Sequence, residues 1–154
     1  MTSTPTRRPA TVWLLITLLI LLGVGALISG ALMMAFPDGS LFQMPLSMLQ
    51  YSPFSNFFIP GLILFSLLGV YPLLVAYCLW RRPGWRWPEA LNPARKFHWS
   101  WVASLAAGAI VLIWIIVQML MLRAVAFLHV LYLVWGLALI GLTLTPAVRR
   151  YCAR

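Results

Sequence analysis

The sequence predicts an all-α transmembrane four-helix bundle with a short amphipathic interfacial segment at one face, and two observations carry this prediction. The chain has 154 residues, of which 63% are hydrophobic and 8% charged, whereas a soluble domain is about 25% charged. Four apolar stretches each have the roughly 20 residues that a helix needs to cross a hydrocarbon core of about 30 Å. No water-soluble fold of this size could bury so much apolar surface, so we predict one membrane domain over residues 1–154.

The predicted spans cover residues 12–36, 59–80, 99–121 and 125–147. The first span follows Arg7 and Arg8, as a signal-peptide core would, but its apolar run is longer than the usual core of about 7 to 15 residues. We therefore expect it to be retained. Pro72 in the second span predicts a kink near Leu68 and Gly69, because it removes one helical hydrogen bond. Only a few residues join spans three and four, which predicts an antiparallel hairpin.

Basic residues predict the orientation of these spans. Ten of the eleven lysines and arginines lie on one side of the predicted bundle: Arg7, Arg8, Arg81, Arg82, Arg86, Arg95, Lys96, Arg149, Arg150 and Arg154. Only Arg123 falls on the other side, together with Asp38. The positive-inside rule then predicts that both termini and the loop 81–98 are cytoplasmic, and that the segment 37–58 lies outside.

The stretch PLSMLQYSPFSNFFIPG, residues 45–61, is too apolar for a plain loop and too rich in proline for a plain span. We predict an interfacial cap formed by Pro45, Ser52, Pro53, Phe54, Phe57, Phe58 and Pro60. Pro45 is expected to open a short helix, and Ser52 to N-cap a second turn with Pro53 at its first position. The three phenylalanines would then share one helical face. Pro60 would free the carbonyl of Asn56, an acceptable loss near water. The alternative is a re-entrant dip, which would need protein cover for its backbone.

Polar residues near the same membrane face form a second candidate site. Asp38, Gln118, Arg123 and His129 all fall at the predicted outer ends of the spans. The functional hypothesis is a shallow outward-facing pocket in which Arg123 binds an anionic headgroup or a partner carboxylate. The alternative is an ion pair between Asp38 and Arg123 with ordinary interfacial solvation, and with Gln118 bonded to a neighbouring helix.

Small residues four apart in the first span, Gly25 with Ser29 and Ala26 with Gly30, allow close helix approach. They indicate either a dimer face or packing within the chain, and we favour packing within the chain.

No pattern typical of catalysis or cofactor binding stands out. The two cysteines form no CxxC, no carboxylate lies in a span, and His98 and His129 are predicted to lie a full span apart. We therefore expect neither a cofactor nor a metal, and no enzyme activity.

The order SPF, Ser52 to Phe54, followed by IPG, Ile59 to Gly61, resembles a pattern in small uncharacterised four-span bacterial membrane proteins. The resemblance implies a multi-pass protein of the bacterial inner membrane and implies no activity. We expect a non-catalytic subunit or scaffold that binds another membrane protein or a lipid through the 37–58 segment.

The alternative function is a small transporter or channel for lipid-like or apolar solutes, which needs a cavity near Pro72 and Gln118. The expected partners are membrane lipids, with anionic headgroups at the cytoplasmic face, and a membrane protein or a second copy of the chain. Nucleic acid is not expected, because the basic residues lie beside apolar spans.

Overall fold

The computed structural model describes residues 8–154, and over that range the chain is built from helices without a β-strand. Four helices are long and apolar enough to cross a membrane: α1 (Ala10–Ala35), α2 (Phe58–Arg81), α4 (Trp99–Leu122) and α5 (Phe127–Leu144). Two shorter helices are α3 (Arg86–Ala90) and α6 (Pro146–Cys152). The prediction of an all-α protein with four candidate membrane spans is confirmed. Arg7, one of the residues used for the predicted orientation, lies outside the described range.

Helices α1 and α2 form a hairpin whose backbones approach closely at glycines. A Cβ atom at Gly30 would lie 2.6 Å from the backbone nitrogen of Phe65 and 2.7 Å from the carbonyl oxygen of Gly61. Ala26 is also buried. The pair Ala26 and Gly30 therefore packs within the chain, as the favoured interpretation of that pair expected. Gly25 has open space where its Cβ would be.

Helices α4 and α5 form the second hairpin, again around a glycine crossing. A Cβ atom at Gly108 would lie 2.6 Å from Cγ1 of Ile140 and 3.0 Å from the carbonyl oxygen of Gly136. The four residues 123–126 connect the two helices, and the first of them, Arg123, ends α4 in the left-handed conformation with φ of 48°. The short connection makes α4 and α5 antiparallel neighbours, as predicted.

Helix α2 departs from α geometry near the predicted position. The residues Leu64–Val70 form a π-helical stretch, and Tyr71 and Pro72 begin the regular helix that follows. The stretch contains Leu68 and Gly69, where the missing N–H of Pro72 was expected to disturb the helix. The disturbance takes the form of a widened turn, a geometry that is often found at functional sites.

The end of the fourth span differs from the sequence prediction. Helix α5 ends at Leu144, whereas the predicted span runs to residue 147, and a separate helix α6 begins at Pro146. Thr145 lies between them with ψ of 145°, because a residue that precedes proline is disfavoured in the α conformation. Its side-chain oxygen accepts a hydrogen bond from the Val148 N–H. The basic C-terminal segment is thus mostly helical rather than an extended tail.

Helix α6 packs back onto the bundle and closes the end that carries most of the arginines. The His98 N–H donates to the carbonyl of Cys152 over 2.7 Å, and the Tyr151 hydroxyl donates to the carbonyl of Leu79 over 2.8 Å. Arg154 forms an ion pair with Glu89. Here this end of the bundle, made of the start of α1, residues 82–98 and α6, is called the basic end. The opposite end, made of residues 36–57 and 123–126, is called the cavity end.

Candidate functional site

The two hairpins contact each other unevenly along the bundle. In the part nearer the basic end, the Tyr71 hydroxyl donates to the Ala103 carbonyl over 3.0 Å, and the Trp135 indole donates to the Leu18 carbonyl over 3.3 Å. Toward the other end the hairpins separate around a cavity of about 330 Å³. All four long helices and the 37–58 segment line this cavity.

The 37–58 segment covers the cavity with methionines. Met44 and Met48 line the cavity together with Ser29 of α1 and Leu122 of α4. The same two methionines also border a neighbouring void of about 70 Å³. Methionine is flexible and polarizable, so it fills irregular space and adapts to different occupants. The segment thus forms a deformable wall over one end of the cavity.

The first half of the predicted cap has the expected short helix. Pro45 precedes a 3₁₀ helix at Leu46–Leu49, and Leu49 is buried in a small cluster with Met33 and Phe57. The stretch therefore packs onto the bundle through its own apolar residues.

The second half of the predicted cap is wrong in detail. No helical turn starts at Ser52 and Pro53. Instead the Ser52 hydroxyl donates to the Leu49 carbonyl over 2.9 Å and accepts from the Phe54 N–H over 3.2 Å. A serine side chain that bonds the backbone two residues on forms a turn and competes with helix formation. Helix α2 begins only at Phe58, where the Asn56 side chain accepts from the Phe58 N–H.

The phenylalanines of the cap also do not share one face. Phe57 is 4% exposed and packs in the apolar cluster, Phe54 packs beside that cluster, and Phe58 is 44% exposed. Pro60 lies in the first turn of α2, where an N–H would have no partner within the helix in any case. The expected loss of a helical hydrogen bond to the Asn56 carbonyl therefore does not arise.

The four residues of the predicted polar cluster separate into two pairs. Gln118 and His129 line the cavity, and Asp38 and Arg123 do not. Asp38 accepts hydrogen bonds from the Ser40 hydroxyl over 2.8 Å and from the Ser40 N–H over 3.2 Å. These bonds, the hydroxyl first, hold the pKa of the Asp38 carboxyl below its usual value.

The alternative of an ion pair between Asp38 and Arg123 is wrong for the described structure. Within residues 8–154 the only salt bridge joins Arg154 and Glu89. Asp38 is satisfied by its own turn, and the Arg123 guanidinium lies 4.0 Å from the centre of the Tyr51 ring in a cation–π contact. Arg123 therefore ties the 123–126 connection to the 37–58 segment.

His129 is held in one orientation and one tautomer. Its side chain is 8% exposed, and its Nδ1 accepts a hydrogen bond from the Ala126 N–H over 2.9 Å. Because Nδ1 accepts, the proton of the neutral ring is on Nε2. The same bond satisfies a free N–H at the start of α5. No group in residues 8–154 accepts a hydrogen bond from Nε2.

Trp114 belongs to the site and was not singled out from the sequence. It is 9% exposed and lines the cavity, the smaller void and an apolar groove between α2 and α4. Leu68 lines both the cavity and the groove. One sequence signal was available: Trp114 lies inside a span, away from the interface that tryptophan usually prefers, and four residues before Gln118.

The cavity lining carries apolar groups and neutral polar groups. None of the residues that line it is Asp, Glu, Lys or Arg. Within residues 8–154 no three His, Cys, Asp or Glu side chains come together as a metal site. The lining therefore offers apolar contacts and hydrogen bonds to a molecule in the cavity.

Comparison with protein-family models, with curated proteins and with solved structures gives no significant match to this chain. The class that the fold defines is a small multi-pass integral membrane protein with four candidate spans. The resemblance to four-span bacterial proteins stays a prediction.

Proposed function

We propose that the protein is a non-catalytic integral membrane protein that binds a membrane lipid beneath its 37–58 segment. The observation that carries the proposal is the cavity of about 330 Å³, which all four long helices line and which Met44 and Met48 cover. The cavity is partly open to the surroundings, since the exposed residues Ala126 and Leu128 are among those that line it. A cavity at the lower end of the roughly 300 to 1,000 Å³ range of ligand pockets is therefore a binding-site candidate.

The size of the cavity limits the occupant. About 330 Å³ accommodates a small apolar molecule or one lipid chain, and it is too small for a whole phospholipid with two chains. Leu22, Leu64 and Leu68 supply apolar contacts, and Ser29 and Gln118 supply polar ones. Binding through one chain lets the remainder of a lipid stay in the bilayer.

The orientation that we propose follows the positive-inside rule, with the basic end in the cytoplasm of a bacterial cell and the cavity end outside the inner membrane. Exposed arginines at the basic end, among them Arg149 and Arg150, would then contact anionic headgroups. The 37–58 segment would lie in the outer interface above the cavity.

Transport of apolar solutes is a second candidate, favoured by one observation. Leu68 and Trp114 line both the cavity and the groove between α2 and α4, whose residues Leu67 and Ile113 are exposed. A molecule in the bilayer core could therefore reach the cavity sideways by displacing the two shared side chains. Transport needs a second opening as well, and the basic end is closed by α6, so we favour binding over transport.

The test compares two adjacent positions of α1. Ser29 lines the cavity, and Ile28 is 57% exposed on the outside of the helix. Ser29→Phe fills the cavity, whereas Ile28→Phe adds the same ring where lipid would be. Both variants are purified in nanodiscs, checked for monodispersity, and analysed by native mass spectrometry and lipid extraction.

We expect one bound lipid molecule per protein chain in the wild type and in Ile28→Phe. In Ser29→Phe we expect the amount of bound lipid to fall at least tenfold. Equal lipid retention by the two folded variants would contradict lipid binding in the cavity. A stoichiometric protein partner without bound lipid would instead support the subunit or scaffold function.

A further inference from the structure

We propose that the cavity recognises a neutral carbonyl oxygen on an apolar molecule, a chemistry that fatty-acid esters and lipid quinones share. The inference rests on the proposed lipid-binding function and specifies the ligand of the same cavity. Three residues that line the cavity carry side-chain N–H groups that find no acceptor in residues 8–154.

The first donor is His129. The Ala126 amide donates to its Nδ1, and an amide N–H can only donate, so the ring carries its proton on Nε2. His129 is more than nine-tenths buried and lines the cavity. Nothing in residues 8–154 accepts from Nε2. The ring therefore offers a fixed N–H donor, and it cannot act as an acceptor there.

The second donor is Trp114, whose indole N–H has no acceptor within residues 8–154, although the side chain is only 9% exposed. Two other tryptophans of the bundle use this group. Trp101 donates to the Thr143 carbonyl over 2.9 Å, and Trp135 donates to the Leu18 carbonyl over 3.3 Å. A buried indole N–H usually finds a partner. Trp114 is therefore available to a ligand.

The third donor is the amide of Gln118, which lies one helical turn after Trp114 and lines the same cavity. It makes no hydrogen bond to any described residue. Gln118 is half-buried, and in the hydrocarbon core of a membrane no bulk water is present to supply a partner for such a donor. An acceptor oxygen placed in the cavity would supply that partner for one or more of the three donors.

The charge of the lining selects the kind of acceptor. The residues around the cavity include no Lys or Arg that could balance a carboxylate or phosphate, and no Asp or Glu that could balance a cation. An ion without a counter-charge would lose its hydration and gain little in return. A neutral carbonyl accepts hydrogen bonds without that penalty, and an attached chain can contact Leu22 and Leu64.

The test uses the full chain in nanodiscs with methyl dodecanoate labelled with ¹³C at its carbonyl. We expect saturable binding, and a carbonyl infrared band that moves to lower wavenumber on binding, because hydrogen bonding weakens the C=O bond. Dodecane has the same chain without the carbonyl. It is expected to bind about fivefold more weakly for each hydrogen bond lost.

Variants connect the band shift to particular donors. Gln118→Met and Trp114→Phe remove an N–H and keep much of the side-chain shape, and each is expected to weaken binding about fivefold and to reduce the band shift. Gln50→Met is the control for Gln118, because Gln50 is exposed. Trp135→Phe is the control for Trp114, because the Trp135 N–H is already bonded to Leu18. Both controls should bind the probe as the wild type does.

A decyl-substituted benzoquinone forms the second arm of the test. Binding of the ester or of the quinone that is tighter than binding of dodecane supports the inference. The tighter binder of the two identifies the source of the carbonyl. Equal binding of dodecane and methyl dodecanoate without a band shift overturns carbonyl recognition and leaves lipid binding intact. Unchanged affinity in Gln118→Met and Trp114→Phe also overturns it. If no probe binds and no lipid co-purifies, the proposed function fails as well.

Discussion

The two ends of the bundle are held together by different interactions. At the basic end, backbone and side-chain hydrogen bonds tie α6 to the rest of the chain, as in the 2.7 Å bond from His98 to Cys152 and the 2.8 Å bond from Tyr151 to Leu79. At the cavity end, no hydrogen bond within residues 8–154 joins the 37–58 segment to α4 or α5. Apolar contacts and the stacking of Arg123 on Tyr51 hold it there.

The hydrogen bonds between distant segments are concentrated at the basic end, and the free space lies at the cavity end. Directional bonds between α6 and the bundle fix the basic end in one arrangement. Methionines and a stacked arginine hold the cavity end without directional bonds, because contacts between flexible apolar side chains have little directional preference. If the proposed function holds, we expect this segment to open and close over a ligand while the basic end stays in place. Four pairs of measurements test the packing of the bundle and the difference between its ends.

The largest expected effect is a truncation in the packed core of the basic end. Leu79 is fully buried, so Leu79→Ala should lower the free energy of unfolding by about 2 to 5 kcal/mol. Met48 already borders the cavity and is partly exposed, so Met48→Ala should cost less than about 1.5 kcal/mol. Unfolding in mixed micelles measures both. Equal losses would show that the two ends are packed alike.

The next effect concerns the close approach of α1 and α2. Gly30→Ala would place its Cβ against the backbone at Phe65 and Gly61, and overpacking of this kind costs about 1 to 3 kcal/mol. Gly25→Ala on the same helix meets open space and should be neutral or slightly stabilising. The same unfolding assay compares them. If Gly30→Ala were as stable as Gly25→Ala, the hairpin packing would be wrong.

A smaller effect is expected from single tyrosine hydroxyls. Tyr151→Phe removes the hydrogen bond to the Leu79 carbonyl and should cost about 1 kcal/mol. Tyr51→Phe at the cavity end removes a hydroxyl that bonds no described residue and keeps the ring under Arg123, so stability should change by less than about 0.5 kcal/mol. A loss in Tyr51→Phe as large as in Tyr151→Phe would contradict the contrast between the ends.

The smallest effect is a pH dependence at the basic end. Burial lowers the pKa of His98, and the charges of Arg82 and Arg154 lower it further, against the Pro83 hydrogen bond and Glu89, which raise it. The folded state therefore favours the neutral ring, whose Nδ1 accepts from the Ser100 N–H at the start of α4. The stabilisation that the neutral His98 ring gives the folded state is fully present above the unfolded-state pKa of about 6.5. It is lost as the pH falls through the lowered folded-state pKa.

The control for this pH dependence is His98→Asn, which keeps a capping acceptor at the start of α4 and cannot take up a proton. Thermal unfolding between pH 8 and pH 5 should show a decline in the wild type and a flatter profile in the variant. Identical profiles would mean that another group is responsible.

Much of the fold could be predicted from the sequence, because span length and apolar composition are properties of single segments. The place where α2 departs from regular α geometry, just before Pro72, could also be predicted, because proline acts on its own helix. The break at Thr145 is likewise local, and the predicted end of the fourth span at residue 147 lies only two residues beyond it. The return of α6 could not be predicted, because its bonds to Leu79 and His98 join segments far apart in the sequence.

The candidate site was predicted only in part. Gln118 and His129 drew attention as polar groups in apolar spans, and both line the cavity. Asp38 was grouped with them, but its carboxylate is satisfied by Ser40 in its own turn. Trp114 was not singled out, although its position inside a span was a signal; that its indole N–H lacks an acceptor can be recognised only when its neighbours are known.

Hydrogen–deuterium exchange tests whether the 37–58 segment covers a lipid-binding cavity. The full chain is measured in nanodiscs with its co-purified lipid, after delipidation, and after addition of methyl dodecanoate. We predict that amides of residues 44–57 exchange faster after delipidation and slow again with the probe, while those of residues 97–98 and 152–153 exchange slowly in all three states. Protection of residues 44–57 that is the same in all three states would contradict the account.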